Sequence, residues 1–101
     1  MHFFEVLEII RKRPGMYVGS PNSLRSLMSL VNGYALGRAE CKLPLTGADD
    51  MDEFEKWVEK RYAYTGTMGV CNLLIEQSGA DEKAFDLYFE LFDLYRSQSK
   101  P

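Results

Sequence analysis

The chain has 101 residues, 46% of them hydrophobic and 27% charged, which suits one globular domain around one core and argues against disorder. No apolar run reaches the ~18 residues of a membrane span, and the opening MHFFEVLEII carries Glu5 and Glu8 where a secretion signal needs an unbroken apolar stretch. The expected location is therefore the cytoplasm. The formal charge of −3 averages unlike parts: residues 1–48 hold six Lys/Arg against three Glu, and residues 49–95 hold twelve Asp/Glu against four Lys/Arg. Such acidity disfavours nucleic acid as a partner and favours a basic protein.

The elements follow from periodicity and punctuation. Phe3, Val6, Leu7 and Ile10 recur at helical spacing, so a first helix is expected over 2–12. Pro14 ends it, because the residue before a proline is pushed out of the α region. Arg13-Pro14-Gly15-Met16 reads as a type II turn with Gly15 at positive φ, and Met16-Tyr17-Val18 as a short extended segment. Ser20 followed by Pro21 reads as a cap and first helical residue. Leu24, Leu27, Met28, Val31, Tyr34 and Ala35 then carry a second helix to about Glu40. Gly33 and Gly37, four apart on it, offer room for a close helix crossing.

A loop is expected from Cys41 to Asp49. Asp50 with Glu53 resembles a capping box, opening a third helix marked by Met51, Phe54, Trp57 and Val58 that runs to Tyr62. Thr65-Gly66-Thr67 is expected to cap a fourth, which ends at Ser78-Gly79. Asp81 opens a fifth, to about Gln98. No stretch alternates with period two for long enough to make a strand. The expected fold is all-α, a compact bundle of about five helices forming a single domain over 1–101.

Catalytic chemistry is hard to find in these residues. His2 is the only histidine, at a terminus expected to fray, so no Ser-His-Asp or Cys-His arrangement is available. Cys41 and Cys71 have neither metal-site nor disulfide-framework spacing. No EF-hand pattern gathers the carboxylates. Neither enzyme activity, a cofactor nor a metal is expected.

Residues 11–19, RKRPGMYVG, resemble a stretch near the amino terminus of type II topoisomerase ATPase subunits. The likeness stops there. Leu30 falls where that family needs its water-activating glutamate, and Tyr34 where it needs its magnesium-binding asparagine. The later glycine motifs are missing, so nucleotide binding ranks last among the readings.

A second resemblance covers most of the chain. RPGMYVG, then NGY at 32–34, FEKWVEKRY at 54–62 and SGADEKAFDLYFELFDLY at 78–95 resemble, in that order, small bacterial proteins that accompany polymorphic toxins. Those of contact-dependent growth inhibition systems are among them. The resemblance implies an immunity protein, a cytoplasmic binder that blocks one cognate toxin.

The last helix adds a separate signal. Its apolar residues cover most of the circumference, which marks a central helix. Glu82, Asp86, Glu90 and Asp93 follow at steps of four, four and three, a ladder of like charges. Such pairs destabilise a helix by roughly 0.2–0.5 kcal/mol each, and Lys83 and Arg96 relieve only part of this. A local rule broken without compensation is where function is sought; the other reading is the solvated stripe that any core helix needs, here acidic. The third helix contrasts, since Asp52, Lys56 and Glu59 mix signs in the ordinary way. Tyr17, Tyr62 and Tyr64 are further interface candidates, because tyrosine is enriched at such surfaces, with semi-buried packing as the other role open to each. The expected function is neutralisation of a toxin, a nuclease by first choice, whose basic cleft the ladder would occlude. A regulatory adaptor for a basic host protein is the alternative.

Overall fold

Pro14 cannot continue the hydrogen bonding of the helix before it, but its fixed φ suits the first position of the next. The chain uses both properties. In the computed structural model, which describes residues 2–19, 22–42 and 47–99, α1 spans Phe3–Lys12 and α2 is a single turn, Pro14–Tyr17. The Val18 N–H donates to the Pro14 carbonyl at 2.8 Å, closing that turn. The expected type II turn and extended segment at 16–18 are thus replaced by a helical turn with Val18 as its C-cap. Positive φ falls on Gly19 (+83°) and not on Gly15.

The remaining helices are α3 (Leu24–Glu40), α4 (Ala48–Arg61), α5 (Gly69–Ser78) and α6 (Asp81–Ser99). The fold is all-α, with six helices among the described residues where five were expected, the sixth being α2. Ser20 and Pro21 lie outside the described residues, and the cap of α3 is Ser23, whose Oγ accepts from the Ser26 N–H at 3.1 Å. Gly47, at φ +88°, stands at the N-cap of α4 in place of the expected Asp50 box, and Ala48 and Asp49 are already helical. A Cβ at Gly47 would run into the His2 ring, so only glycine fits there. The N-cap position of α5 is Met68, with no side-chain cap from Thr65 or Thr67.

α6 is the central element. It buries Ala84, Phe85, Tyr88, Phe89, Leu91 and Phe92 against α3, α4 and α5. Phe54 of α4 is fully buried and is the hub of an aromatic cluster, its ring 5.4 Å from Tyr88, 5.7 Å from Phe92 and 5.2 Å from Tyr95. Trp57, expected in the core, packs against it only half-buried. α3 buries Leu24, Leu27 and Val31 but nothing beyond. Gly33 and Gly37 meet nothing within 4 Å among the described residues, so no close crossing occurs there among them.

Two helix starts are stitched together by Asp81. Its carboxylate accepts from the Leu24 and Arg25 N–H groups (2.8 and 3.1 Å) and from the Ser23 hydroxyl (2.5 Å). With Ser23 serving Ser26, three of the donors that a helix start leaves unpaired are satisfied. Burial pushes the Asp81 carboxyl up, but the Ser23 hydroxyl, the two amides and the Arg25 charge outweigh it and hold it below its ordinary 3.8. A lowered folded-state value stabilises above the unfolded value and is lost as pH falls through the folded one. Asp81→Ala is expected to cost about 1–2 kcal/mol, the usual loss for a helix cap. The variant should also lose less stability than the parent between about pH 5 and pH 2, which denaturant melts across that range will measure.

One buried group has no partner. The Tyr88 hydroxyl makes no hydrogen bond among the described residues. Burial, with smaller contributions from Glu55 and Cys71, pushes its ionisation far above the ordinary 10.0, so it stays protonated. A buried unpaired hydroxyl costs about 1–3 kcal/mol, so Tyr88→Phe is expected to stabilise by about 1 kcal/mol. A destabilised variant in urea melts would contradict that assignment.

Candidate protein-binding site

Because successive residues turn by about 100°, positions 82, 86, 90 and 93 fall within one quadrant of α6. Glu82, Asp86, Glu90 and Asp93 are accordingly all exposed, on the helix whose opposite faces carry the core. Buried Phe85 and Phe89 flank the ladder on one side, and half-buried Leu87 and Leu94 lie beyond exposed Lys83 on the other.

Four carboxylates this close repel, and the structure relieves one end. Arg11 of α1 reaches across to Asp93 at 2.7 Å and donates to the Phe89 carbonyl at 3.1 Å. Its guanidinium lies 4.8 Å from the Phe89 ring centre and 5.8 Å from that of Phe92, and Glu8 pairs with it at 3.2 Å. Arg96, expected to offset the ladder, lies over the rings of Phe4 and Phe92. No ion pair reaches Glu82, Asp86 or Glu90 among the described residues.

The ladder borders a groove of about 440 Å³ running between α6 and the α1–α2 corner. Phe85 and Phe89 form its apolar wall, Asp86, Glu90 and Asp93 its acidic edge, and Arg11, Pro14 and Asn22 the far side. A lysine or arginine side chain matches this chemistry: its methylenes can lie on the rings while its charge meets the carboxylates.

The three candidate tyrosines do not join the ladder groove. Tyr17 is 43% exposed and lines a different, apolar groove with Val6, Ile9, Ile10, Leu30 and Tyr34. Leu30 and Tyr34, the positions that fail the topoisomerase pattern, are thus walls of an apolar groove. Tyr64 is half-buried, and its hydroxyl accepts from the Met68 N–H at 2.8 Å, holding the α4–α5 turn. Tyr62 is half-buried against the core.

His2 does not fray. Its Nδ1 accepts from the Phe4 N–H at 3.0 Å, capping α1, which leaves Nε2 to pair with Asp50 Oδ2 at 2.8 Å. Both ring nitrogens are engaged, so neither is left to activate a nucleophile. An imidazole cap escapes a search for Ser, Thr, Asp or Asn at helix starts.

On α4, Lys56 pairs with Asp52 at 3.1 Å, the mixed-sign surface expected there. Glu55 beside them is held above the ordinary carboxylate value by burial, with Asp52 and Glu59 adding repulsion. Cys41 and Cys71 are free thiols. Among the described residues no three His, Cys, Asp or Glu side chains gather as a metal site, and no helix is long and apolar enough to cross a membrane. No protein-family model, curated protein or solved structure matches the chain.

Proposed function

We propose that this chain is an immunity protein: a cytoplasmic binder that neutralises a cognate bacterial toxin, with a nuclease as the first candidate, and that it performs no catalysis itself. The observation that carries this is the run Glu82, Asp86 and Glu90, exposed and without ion pairs among the described residues, on the most deeply packed helix. Maintaining like charges there costs stability, so a use outside the folded chain is the natural account.

The proposed mechanism is occlusion. A nuclease cleft is lined with basic residues because it must attract phosphate. The acidic edge of α6 would enter that cleft as a phosphate mimic, with Asp86 and Glu90 meeting lysine or arginine side chains over the Phe85 and Phe89 rings. Rigidity favours such binding, because little side-chain or backbone freedom remains to be lost. Opposite charge also speeds encounter. Association with the cognate toxin should therefore slow on the order of tenfold or more between 50 and 500 mM salt. Stopped-flow measurement giving a rate indifferent to salt would contradict the steering role.

A further inference from the structure

Three of the six large hydrophobic side chains exposed among the described residues share one groove. Ile9, Met16, Tyr17, Tyr34 and Leu36, five of the six large hydrophobics exposed among the described residues, belong to α1, α2 and α3. Ile9, Tyr17 and Tyr34 line a single groove of about 230 Å³, and Tyr34 belongs to the half of α3 that buries no side chain. Clustered exposure of this kind marks an association surface, whereas scattered apolar residues would need no explanation.

The charges beside the groove indicate what covers it. On the outer side of α1, Glu5 stands four residues before Ile9 and Lys12 three after it, and Arg13 follows at the C-cap, all of them exposed. Glu8 and Arg11 are already paired with each other. Glu5, Lys12 and Arg13 have no ion pair among the described residues. The pattern is antisymmetric about Ile9: acid on one side, base at matching distance on the other.

We infer that this face joins two copies of the chain, with α1 packed antiparallel on α1 about a two-fold axis passing between the Ile9 side chains. Such an axis reverses the direction of the helix but preserves its flanks. Glu5 of each copy then meets Lys12 and Arg13 of the other, and the groove holding Tyr17 and Tyr34 faces its counterpart. An interface used twice must be self-complementary in this way. A parallel pairing would set Glu5 on Glu5 and Arg13 on Arg13. The proposed toxin-binding edge of α6 takes no part, so the two surfaces can be tested separately.

Sedimentation equilibrium of the whole chain decides it. A surface limited to α1, α2 and one end of α3 is small, so the dimer should be reversible, with a Kd on the order of 1–100 µM. Glu5→Lys alone, or Lys12→Glu with Arg13→Glu, should each weaken it at least about tenfold by opposing like charges. An equimolar mixture of those two proteins should form a heterodimer as tightly as the parent forms its dimer, since each then presents the other's complement. All three substitutions are at the surface, and an unchanged far-ultraviolet dichroism spectrum will verify folding. A parent that stays monomeric to about 500 µM overturns the inference. So does a dimer indifferent to these charges, or a mixture in which neither variant finds the other.

Discussion

Phe54→Ala is expected to remove about 3–5 kcal/mol of folding stability, the usual loss for an aromatic deleted from a packed interior. A domain of this size has only about 5–15 kcal/mol in total, so the variant should be partly unfolded near physiological temperature. The expectation comes from position. Phe54 is 0% exposed and touches Tyr88, Phe92 and Tyr95 edge-on or tilted, with Trp57 stacked at 6.3 Å. Its removal would leave a cavity between α4 and α6 that several rings line and none can fill. Trp57→Ala should cost less, because that indole is only half-buried. Urea melts followed by far-ultraviolet dichroism will order the two. A Trp57 loss equal to or above that of Phe54 would mean the hub has been misplaced.

Reversal of Glu82, Asp86 and Glu90 to lysine is expected to abolish the proposed toxin neutralisation while leaving the fold intact. Asp93 is best left alone, because it receives Arg11 at 2.7 Å and its reversal would set two cations together over Phe89. The other three have no ion pair among the described residues, and lysine at the same positions keeps a like-charge ladder of opposite sign, so helix stability should change little. Breaking one side of an interfacial charge pair typically costs ~2–5 kcal/mol, or about 30- to 5,000-fold in affinity. Reversing Asp52 and Glu59 on α4 is the control and should matter far less. A ladder variant that protects as the parent does would reduce the stripe to solvated surface.

The long helices were legible from the chain: α1, α3, α4, α5 and α6 all lie within a few residues of where they were expected. The misses have physical causes. Proline at the second position of a turn and proline at the first of a helix share one φ, so only the conformation of Gly15 separates the type II turn from α2. Ser23 as the cap of α3 was not read from the chain, where Ser20 before Pro21 drew the expectation. Asp81, 58 positions beyond Ser23, backs that cap, and the contact has no local signature. Gly33 and Gly37 meet nothing within 4 Å among the described residues because the second half of α3 extends past its neighbours.

For the site, the spacing of the ladder carried its exposure directly, since period and face are one quantity in a helix. Its partial neutralisation by Arg11 was hidden, because 82 positions separate Arg11 from Asp93. The groove beside the ladder was equally invisible, being formed where α1 and α2 meet α6. Tyr62 and Tyr64 take the semi-buried packing that the sequence left open beside an interface role, Tyr64 with its hydroxyl accepting from the Met68 N–H.

The central claim is that the acidic edge of α6 closes a basic active site, and one titration tests it most directly. The parent chain and the Glu82/Asp86/Glu90→Lys variant are each added to a purified candidate toxin, captured with the parent chain, while its activity is followed. The parent should silence the toxin at one equivalent per site, and the variant should leave it active at the same concentrations. Equal inhibition by both proteins, or none by the parent, would contradict the account.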